Sequence, residues 1–353
     1  MVVLVGIDVH KNTHCAIAVD ELGRQLGKPV TVRATDAGHR QLLRWAARSV
    51  DGAPVQFAVE DCRHVSARLE GALLAAGATV LRVPPKLMAG ARSSARTRGK
   101  SDPIDALAIA RAALREPDLP RAEHTHASRE LKLLVDHRED LVNTRTALQN
   151  RLRWHLHELD PECDPAVRGL DRAVELDRVG RRLEELPDTV VRRIALELLL
   201  TDIRSLSMRA NALEKELKAL VDAHAPQLLT LPGCGVLTAA KLLGETANPA
   251  RFRSEACFAM HAGVAPIPAS SGKTNRHRLA RGGNRQLNVA LHRIAVTQIR
   301  LDGLGRTYYQ RRRAQGDTTM EALRALKRRL ARVVFQLLKQ THTAAGACVP
   351  AAA

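Results

Sequence analysis

Three short apolar runs precede any helical periodicity, and that order constrains the fold more than any other feature of the chain. VVLVGID (2–8) and CAIAV (15–19) are separated only by the polar turn Val9–His14, and a third β-like run follows at Val30–Val32. Connections this short join antiparallel strands, so the three runs read as a meander. A helical stretch from about Asp36 to Ser49 comes next. It is followed by a strand at Val55–Glu60, a helix around Arg63–Ala76, a strand at Thr79–Val83 and an Ala-rich helix from Ser101 to Arg115.

The predicted order, βββαβαβα, is the one used by RNase H-like nuclease domains, whereas a dinucleotide-binding unit would start βαβ. Between the last strand and the last helix lies PPKLMAGARSSARTRGKSD, a long basic loop of the kind that usually carries function, with Arg98 and Lys100 as candidate phosphate contacts. Beyond it, Leu131, Leu134, Leu141, Leu148, Leu152 and Leu159 recur at helical spacing. A second series (Leu196, Leu199, Ile203, Leu206, Ala210, Leu213, Leu217, Leu220) alternates steps of three and four, the period of a coiled-coil seam. The charged segment Pro161–Pro187 between them is weakly periodic, so the whole reads as a helical hairpin that pairs within or between chains. After Pro226 comes LLTLPGCGVLTAAKLLGE, then an irregular stretch from Pro266 to Asn284, with helices resuming at Gln286–Arg300 and Met320–Gln340. The expected domains are an α/β domain over 1–120, an all-α connector over 121–225, a mainly helical domain over 226–340 and a flexible tail over 341–353.

A chain of 353 residues is long enough for two such cores. Fifty-five Lys and Arg against 37 Asp and Glu leave a net charge of +18, a field that attracts polyanions, and Arg forks match phosphate oxygens. Aromatics are only 2% of the residues, which argues against base stacking as the main binding mode. Cys15, Cys62, Cys163, Cys234, Cys257 and Cys348 form no C-x-x-C pair, so neither a disulfide framework nor structural zinc is expected. No apolar run approaches the ~20 residues of a membrane span, and the N-terminal run lacks a basic leader; a cytoplasmic protein is expected.

Asp8 ends the first apolar strand and Glu60 the fourth, while Asp102 and Asp105 are three apart on one face of the following helix. Asp102 before Pro103 also has the look of a helix N-cap. Four carboxylates converging from two strands and a helix repel one another unless a cation binds between them. Hard oxygen donors select magnesium or manganese. Two such ions would stabilise the attacking and leaving oxygens of a phosphoryl transfer. VGIDVHKNTHC offers no Gly/Ser/Thr-rich phosphate loop, which sets the chain apart from ATPases with a similar strand order.

Leu231-Pro232-Gly233-Cys234-Gly235 before an apolar helix resembles a helix-hairpin-helix, in which the Gly233 and Gly235 turn exposes N–H groups to a phosphate. Pro268-Ala269-Ser270-Ser271-Gly272-Lys273, followed by Arg276, Arg278, Arg281 and Gly282-Gly283-Asn284-Arg285, sets two serines in dense positive charge. On chemistry alone this is a basic phosphate-contacting loop, or else a serine nucleophile with cations stabilising its transition state.

Together GIDVHK, AVEDC, ARTRGKSDPIDALAIAR, LPGCGVLTAAKLLGE, GVAPIPASSGKT and RGGNRQLN resemble the insertion-sequence transposases of the IS one-ten type, the DEDD transposases known as bridge-RNA-guided serine recombinases. The resemblance covers about residues 2–116 and 226–300. It implies a RuvC-like RNase H-fold domain with its DEDD quartet on Asp8, Glu60, Asp102 and Asp105. It also implies a C-terminal domain whose catalytic serine falls on Ser270, with Ser271 beside it. Also implied are magnesium, DNA at the element's ends and target, a structured guide RNA, and homodimers or homotetramers built through the coiled segment, with sites composed from two subunits. The rival readings are a metal-dependent RNase H-fold nuclease that uses water, and a non-catalytic basic nucleic-acid-binding protein.

Overall fold

The computed structural model describes residues 2–48, 54–60, 65–85, 87–88, 90, 101–116, 119–123, 126–166, 168–269, 277–278, 280 and 282–346. The chain divides into two compact units, Met1–Thr125 with Ala247–Ala353, and His126–Thr246.

The first unit is built on a five-stranded mixed sheet. β1 (Val3–Val9), β2 (Thr13–Val19) and β3 (Gln25–Arg33) form the antiparallel meander; β4 (Val55–Glu60) and β5 (Thr79–Val83) join it in parallel, giving the order β3-β2-β1-β4-β5. Parallel neighbours need a crossover, and α1 (Asp36–Arg48) and α2 (Ala67–Ala75) supply the two required. The predicted element order is therefore the observed one. β3 is the main change, running from Gln25 where only Val30–Val32 is apolar. It is an edge strand, mostly exposed, and its pairing with β2 tolerates polar residues that hide the strand from a hydrophobicity reading.

β1 is central and buried on both faces, which is why its sequence is continuously apolar. Its side chains alternate between two cores. Val3, Val5, Ile7 and Val9 join Leu42, Leu69, Leu73, Phe57 and Val59 on the side of α1 and α2. Leu4 faces the other way with Cys15, Ile17, Val19 and Ala58, against Ala106, Ile109, Ala110 and Ala113 of α3 (Asp102–Arg115). The alanines of α3 let the helix lie close to the sheet, and Gly6 lets it lie closer still. A Cβ on Gly6 would come within 2.2 Å of the Ala106 carbonyl and 2.6 Å of the Ala110 nitrogen.

The C-terminal part of this unit is helical: α9 (Glu255–His261), α10 (Arg285–Arg300), α11 (Leu304–Ala314) and α12 (Thr319–Gly346), with a two-stranded hairpin of β6 (Ile267–Pro268) and β7 (His277–Arg278). Three of the chain's four phenylalanines gather here: Phe252 meets Phe258 and Phe335 edge-on, and Phe258 stacks on Phe335. Hydrogen bonds from Arg251 to the Arg121 carbonyl and from Asn248 to Glu123 tie the start of this part to the segment that follows α3.

The second unit is all helical. α4 (His126–Leu159), 34 residues and about 50 Å long, packs against α7 (Arg204–His224) and α8 (Val236–Thr246). The seam residues Leu199, Ile203, Ala210 and Leu217 are buried within the unit, and the run Val190–His224 that carries them contains a π-helical segment, Leu198–Ile203, between α6 (Val190–Glu197) and α7. The reading of Pro161–Pro187 as weakly periodic is corrected. α5 (Ala173–Glu185) is a short amphipathic helix that buries Leu176, Val179, Gly180 and Leu183, and the many Arg and Glu of its outer face obscure that narrow apolar stripe.

Candidate active site

The carboxylates of the first unit owe their placement to the sheet's alternation. Gly6 faces α3, so Asp8, two residues on, faces α3 as well. In the parallel pairing Gly6 lies opposite Ala58, which also packs on α3. Two residues further on β4, Glu60 falls on the same face by strand alternation. The β1–β4 register runs as far as Ile7 opposite Val59, so Asp8 and Glu60 each follow its last pair.

Asp102 and Asp105 occupy the first turn of α3, where the partial positive charge of the helix N-terminus favours acidic groups. The N-cap is Ser101, whose extended backbone precedes Pro103 in the first turn and whose carbonyl accepts from the Asp105 N–H at 3.0 Å. The reading of Asp102 as the cap is therefore corrected: helical backbone begins at Asp102 itself. Asp102 is exposed and Asp105 buried, as expected for residues at the mouth of the helix–sheet contact.

His10 joins this group. Its Nε2 lies 3.1 Å from Asp8 Oδ2 and 3.4 Å from Asp102 Oδ1. Oxygen or nitrogen atoms of Asp8, His10 and Asp102 all fall within 4.8 Å of one another, a spacing that a single cation can bridge. Glu60 and Asp105 are outside that tight group. Asp105 is nonetheless close enough to act on Asp8: burial pushes the Asp8 carboxyl above the usual range, His10 opposes this, and the charges of Asp105 and Asp102 push it further. Cys15, opposite Asp8 in β2, borders the same face, and its thiol is pushed up by burial and by Asp102 and Asp8. An imidazole nitrogen between two carboxylates, and a buried carboxyl made harder to ionise by its neighbours, are what an acidic pocket shows when it has more negative charge than its surroundings offset. The donor set of carboxylate oxygens with one imidazole fits magnesium or, better, manganese.

His10 was not among the residues singled out from the sequence. Its signal is the Asp8-x-His10 spacing, which on an extended chain puts both side chains on one face.

The second group lies around the β6–β7 hairpin. Ser270, Ser271, Lys273, Arg276 and Arg281 lie outside the described residues, as do Arg98 and Lys100. What precedes and follows the serines is described. Ile267 pairs with Arg278 and Pro268 with His277, and Arg278 is exposed. Asn284 caps α10, accepting from the N–H groups of Gln286 and Leu287, and Arg285 opens that helix. Gly283 is forced by contact, since a Cβ there would sit 2.3 Å from the Gly263 nitrogen. Asn288 then donates to the carbonyls of Ala262 and Gly263 at 3.1 and 2.9 Å and accepts from Lys327 of α12. The GVAP and RGGNRQLN motifs are thus halves of one packing arrangement that fixes both ends of the hairpin.

In the second unit, Gly233 takes a positive φ of 85°, and Gly235 closes the turn, its carbonyl accepting from Thr238 and Ala239 at the start of α8. The element before the turn is a 3-10 segment, Pro226–Thr230. Cys234 between the glycines is buried, its thiol pushed up to about 12, and is chemically inert at neutral pH.

Residues 5–161 match a transposase family model of the DEDD IS110 type, and residues 225–310 match the model described as transposase IS116/IS110/IS902 family. The chain is 32% identical to the insertion element IS110 uncharacterized 43.6 kDa protein of Streptomyces coelicolor, over 68% of this chain and 71% of that one. It is 28% identical to the insertion element IS900 uncharacterized 42 kDa protein of Mycobacterium paratuberculosis over 95% of each. Among solved structures, T. thermophilus RuvC in complex with Holliday junction substrate is similar at 18% identity and a TM-score of 0.26, over 33% of this chain and 94% of that one. Among the described residues no helix is long and apolar enough to cross a membrane.

Proposed function

Because the chain belongs to the IS116/IS110/IS902 family of transposases, we propose that it cuts and rejoins DNA at the ends of an insertion sequence through a serine nucleophile and a metal-binding carboxylate cluster. Asp8, Glu60, Asp102 and Asp105 hold magnesium or manganese on an RNase H-like sheet, and Ser270 or Ser271 attacks the phosphodiester. The observation that carries this reading is the meeting of Asp8 and Asp102 with His10 inside 4.8 Å, with Asp105 in electrostatic range of Asp8.

Bound there, a divalent ion would stabilise charge on the phosphate oxygens and favour the ionised hydroxyl. His10 orients Asp8 through its Nε2–H and keeps the first two carboxylates from parting. The serine hydroxyl gives up its proton as Oγ bonds to phosphorus, and the deoxyribose oxygen on the far side leaves with the electron pair of the broken P–O bond. The strand is then held as a protein phosphodiester. A hydroxyl of the second DNA strand reverses the step, so rejoining needs no external energy. Lys273, Arg276, Arg278, Arg281 and Arg285, with Arg98 and Lys100 from the other loop, neutralise phosphate charge, and the Gly233–Gly235 turn offers N–H groups to a backbone phosphate. A structured guide RNA, dimers or tetramers built through the helical region 121–225 on surfaces other than the buried seam, and domains over 1–120, 121–225 and 226–340 complete the reading.

The test is strand cleavage with magnesium or manganese against a chelator. Asp8→Asn and Glu60→Gln should each lose about 100-fold or more in rate, the scale of removing a group that stabilises charge in the transition state, while DNA binding persists. Cleavage indifferent to both the metal and Asp8 would refute the carboxylate site and leave a basic binding protein.

A further inference from the structure

A second cationic site lies beside β6 and β7, with its cations on α11 and α12, outside the sequence motifs. A cavity of about 460 Å³ is lined by the Gly263–Pro266 segment leading into β6, by His277 of β7, and by four cations, Arg312, Arg324, Lys327 and Arg328, against two carboxylates, Asp317 and Glu321, with Tyr308 beside them. Its size is that of sites that take a nucleotide-sized group, which run from about 300 to 1,000 Å³.

The charges of this cavity are not balanced. Arg312 pairs with Asp317, and Arg328 with Glu255. Arg324 and Lys327 have no carboxylate partner among the described residues, and the one polar partner Lys327 shows there is the neutral amide of Asn288. Lys327 is only 6% exposed. A buried ammonium without a counter-charge is costly, and burial together with Arg324 pulls the Lys327 pKa below its usual range. Such a group persists where an anion relieves it. The segment that carries the cavity's cations says what kind of anion: from Asp302 to Arg332 there are nine Lys and Arg against three Asp and Glu. Arg311 and Arg329 lie over the Tyr308 ring at 5.2 and 5.1 Å. Charge of this density suits a phosphate backbone better than an isolated small anion.

We propose that the α11–α12 cavity holds a backbone phosphate of the DNA strand on which the serine hairpin acts, with Lys327 and Arg324 as its binding residues. This rests on the proposed serine chemistry for the identity of the strand. Asn288 ties Lys327 to the Ala262–Gly263 carbonyls, so a phosphate seated on Lys327 is fixed relative to the base of the hairpin. The cavity is a positioning site for the strand and takes no part in bond breaking. The family model that matches the C-terminal region ends at residue 310, ahead of both cations.

The test is the anisotropy of labelled duplex DNA, single-stranded DNA and an RNA hairpin, read at several salt concentrations without divalent ions. The protein is the full chain carrying Ser270→Ala and Ser271→Ala, so that no result depends on the nucleophile. Lys327→Gln and Arg324→Ala are compared with Arg44→Ala, an equal charge change on an exposed face of α1. Each cavity variant should weaken DNA binding about tenfold and lower the slope of log Kd against log salt by about 0.7–0.9. A loss no larger than that of Arg44→Ala, an unchanged slope, or a loss confined to RNA would overturn the proposal. Arg324 is only partly buried, so Arg324→Ala keeps the test decisive if Lys327→Gln folds poorly. Failure of the serine reading shows elsewhere, as a missing covalent adduct in the unsubstituted protein.

Discussion

Asp8 concentrates the conflict between stability and chemistry. It is buried, its carboxyl is pushed up by that burial and by Asp105 and Asp102, and His10 only partly relieves it. An acid whose folded pKa lies above its unfolded value costs stability once it is ionised, so removing the charge should cost the metal-free protein nothing. Asp8→Asn is expected to abolish strand cleavage while leaving the unfolding free energy in chelator equal or higher, by up to about 1 kcal/mol; a clear drop would mean that Asp8 is structural. A second residue-level prediction concerns His14 and His39, buried and in contact at 3.2 Å between their Nε2 atoms. Burial first, then His39, pulls His14 down to about 4, and burial lowers His39 also. The unfolded chain takes up protons near pH 6.5 that the folded chain refuses, so this contribution is complete above pH 6.5 and is lost as pH falls toward 4. For His14 the slope within that window is about 1.4 kcal/mol per pH unit, and His39 adds to it in the same direction. Urea denaturation across that window should steepen accordingly, and His14→Leu with His39→Leu should flatten it. Of the group that meets in the structure, Asp8 and Asp102 were legible because they stand at the ends of correctly ordered elements. His10 was not, because a lone histidine after a strand has too many ordinary explanations until its ring is seen between two carboxylates.

At the scale of elements, the carboxylate group depends on how closely α3 approaches β1. Gly6 is the position that allows it, and Gly6→Ala should cost about 3 kcal/mol or more, because both atoms that its methyl would meet are backbone and neither can move without shifting the helix. Thermal denaturation reads the loss, and a variant as stable as the parent would show that the helix sits elsewhere. Gly283 plays the same part for the hairpin, against Gly263. The strands were legible because a meander with short turns, then strands separated by helical stretches, admits few topologies. The helices that went unread are short or strongly charged. α5 hides its stripe among Arg and Glu, and α11, LGRTYYQRRRA, buries only Gly305 and so carries almost no apolar period. Its place is set by packing against α10 and α12, information that lies outside its own eleven residues.

At the scale of the whole molecule, the N-terminal sheet and the C-terminal helices belong to one compact unit and the intervening helices to another. That grouping is not readable from sequence, since it joins residues more than a hundred positions apart. A metal bound by the folded carboxylate group but not by the unfolded chain should stabilise the protein by about 1.4 kcal/mol at ten times its Kd. Manganese or magnesium should therefore raise the melting temperature of the parent and not of Asp8→Asn; equal shifts in both would place the bound ion elsewhere. The central claim joins the two chemistries, serine and carboxylate, in one reaction, and its most direct test is a suicide DNA substrate run with magnesium and the element's RNA on a denaturing gel. The account predicts DNA covalently attached to protein, lost in Ser270→Ala or in Ser271→Ala, whichever removes the nucleophile, and lost again in Glu60→Ala. Cleavage without any adduct, surviving both serine substitutions, would contradict it and point to a nuclease that uses water.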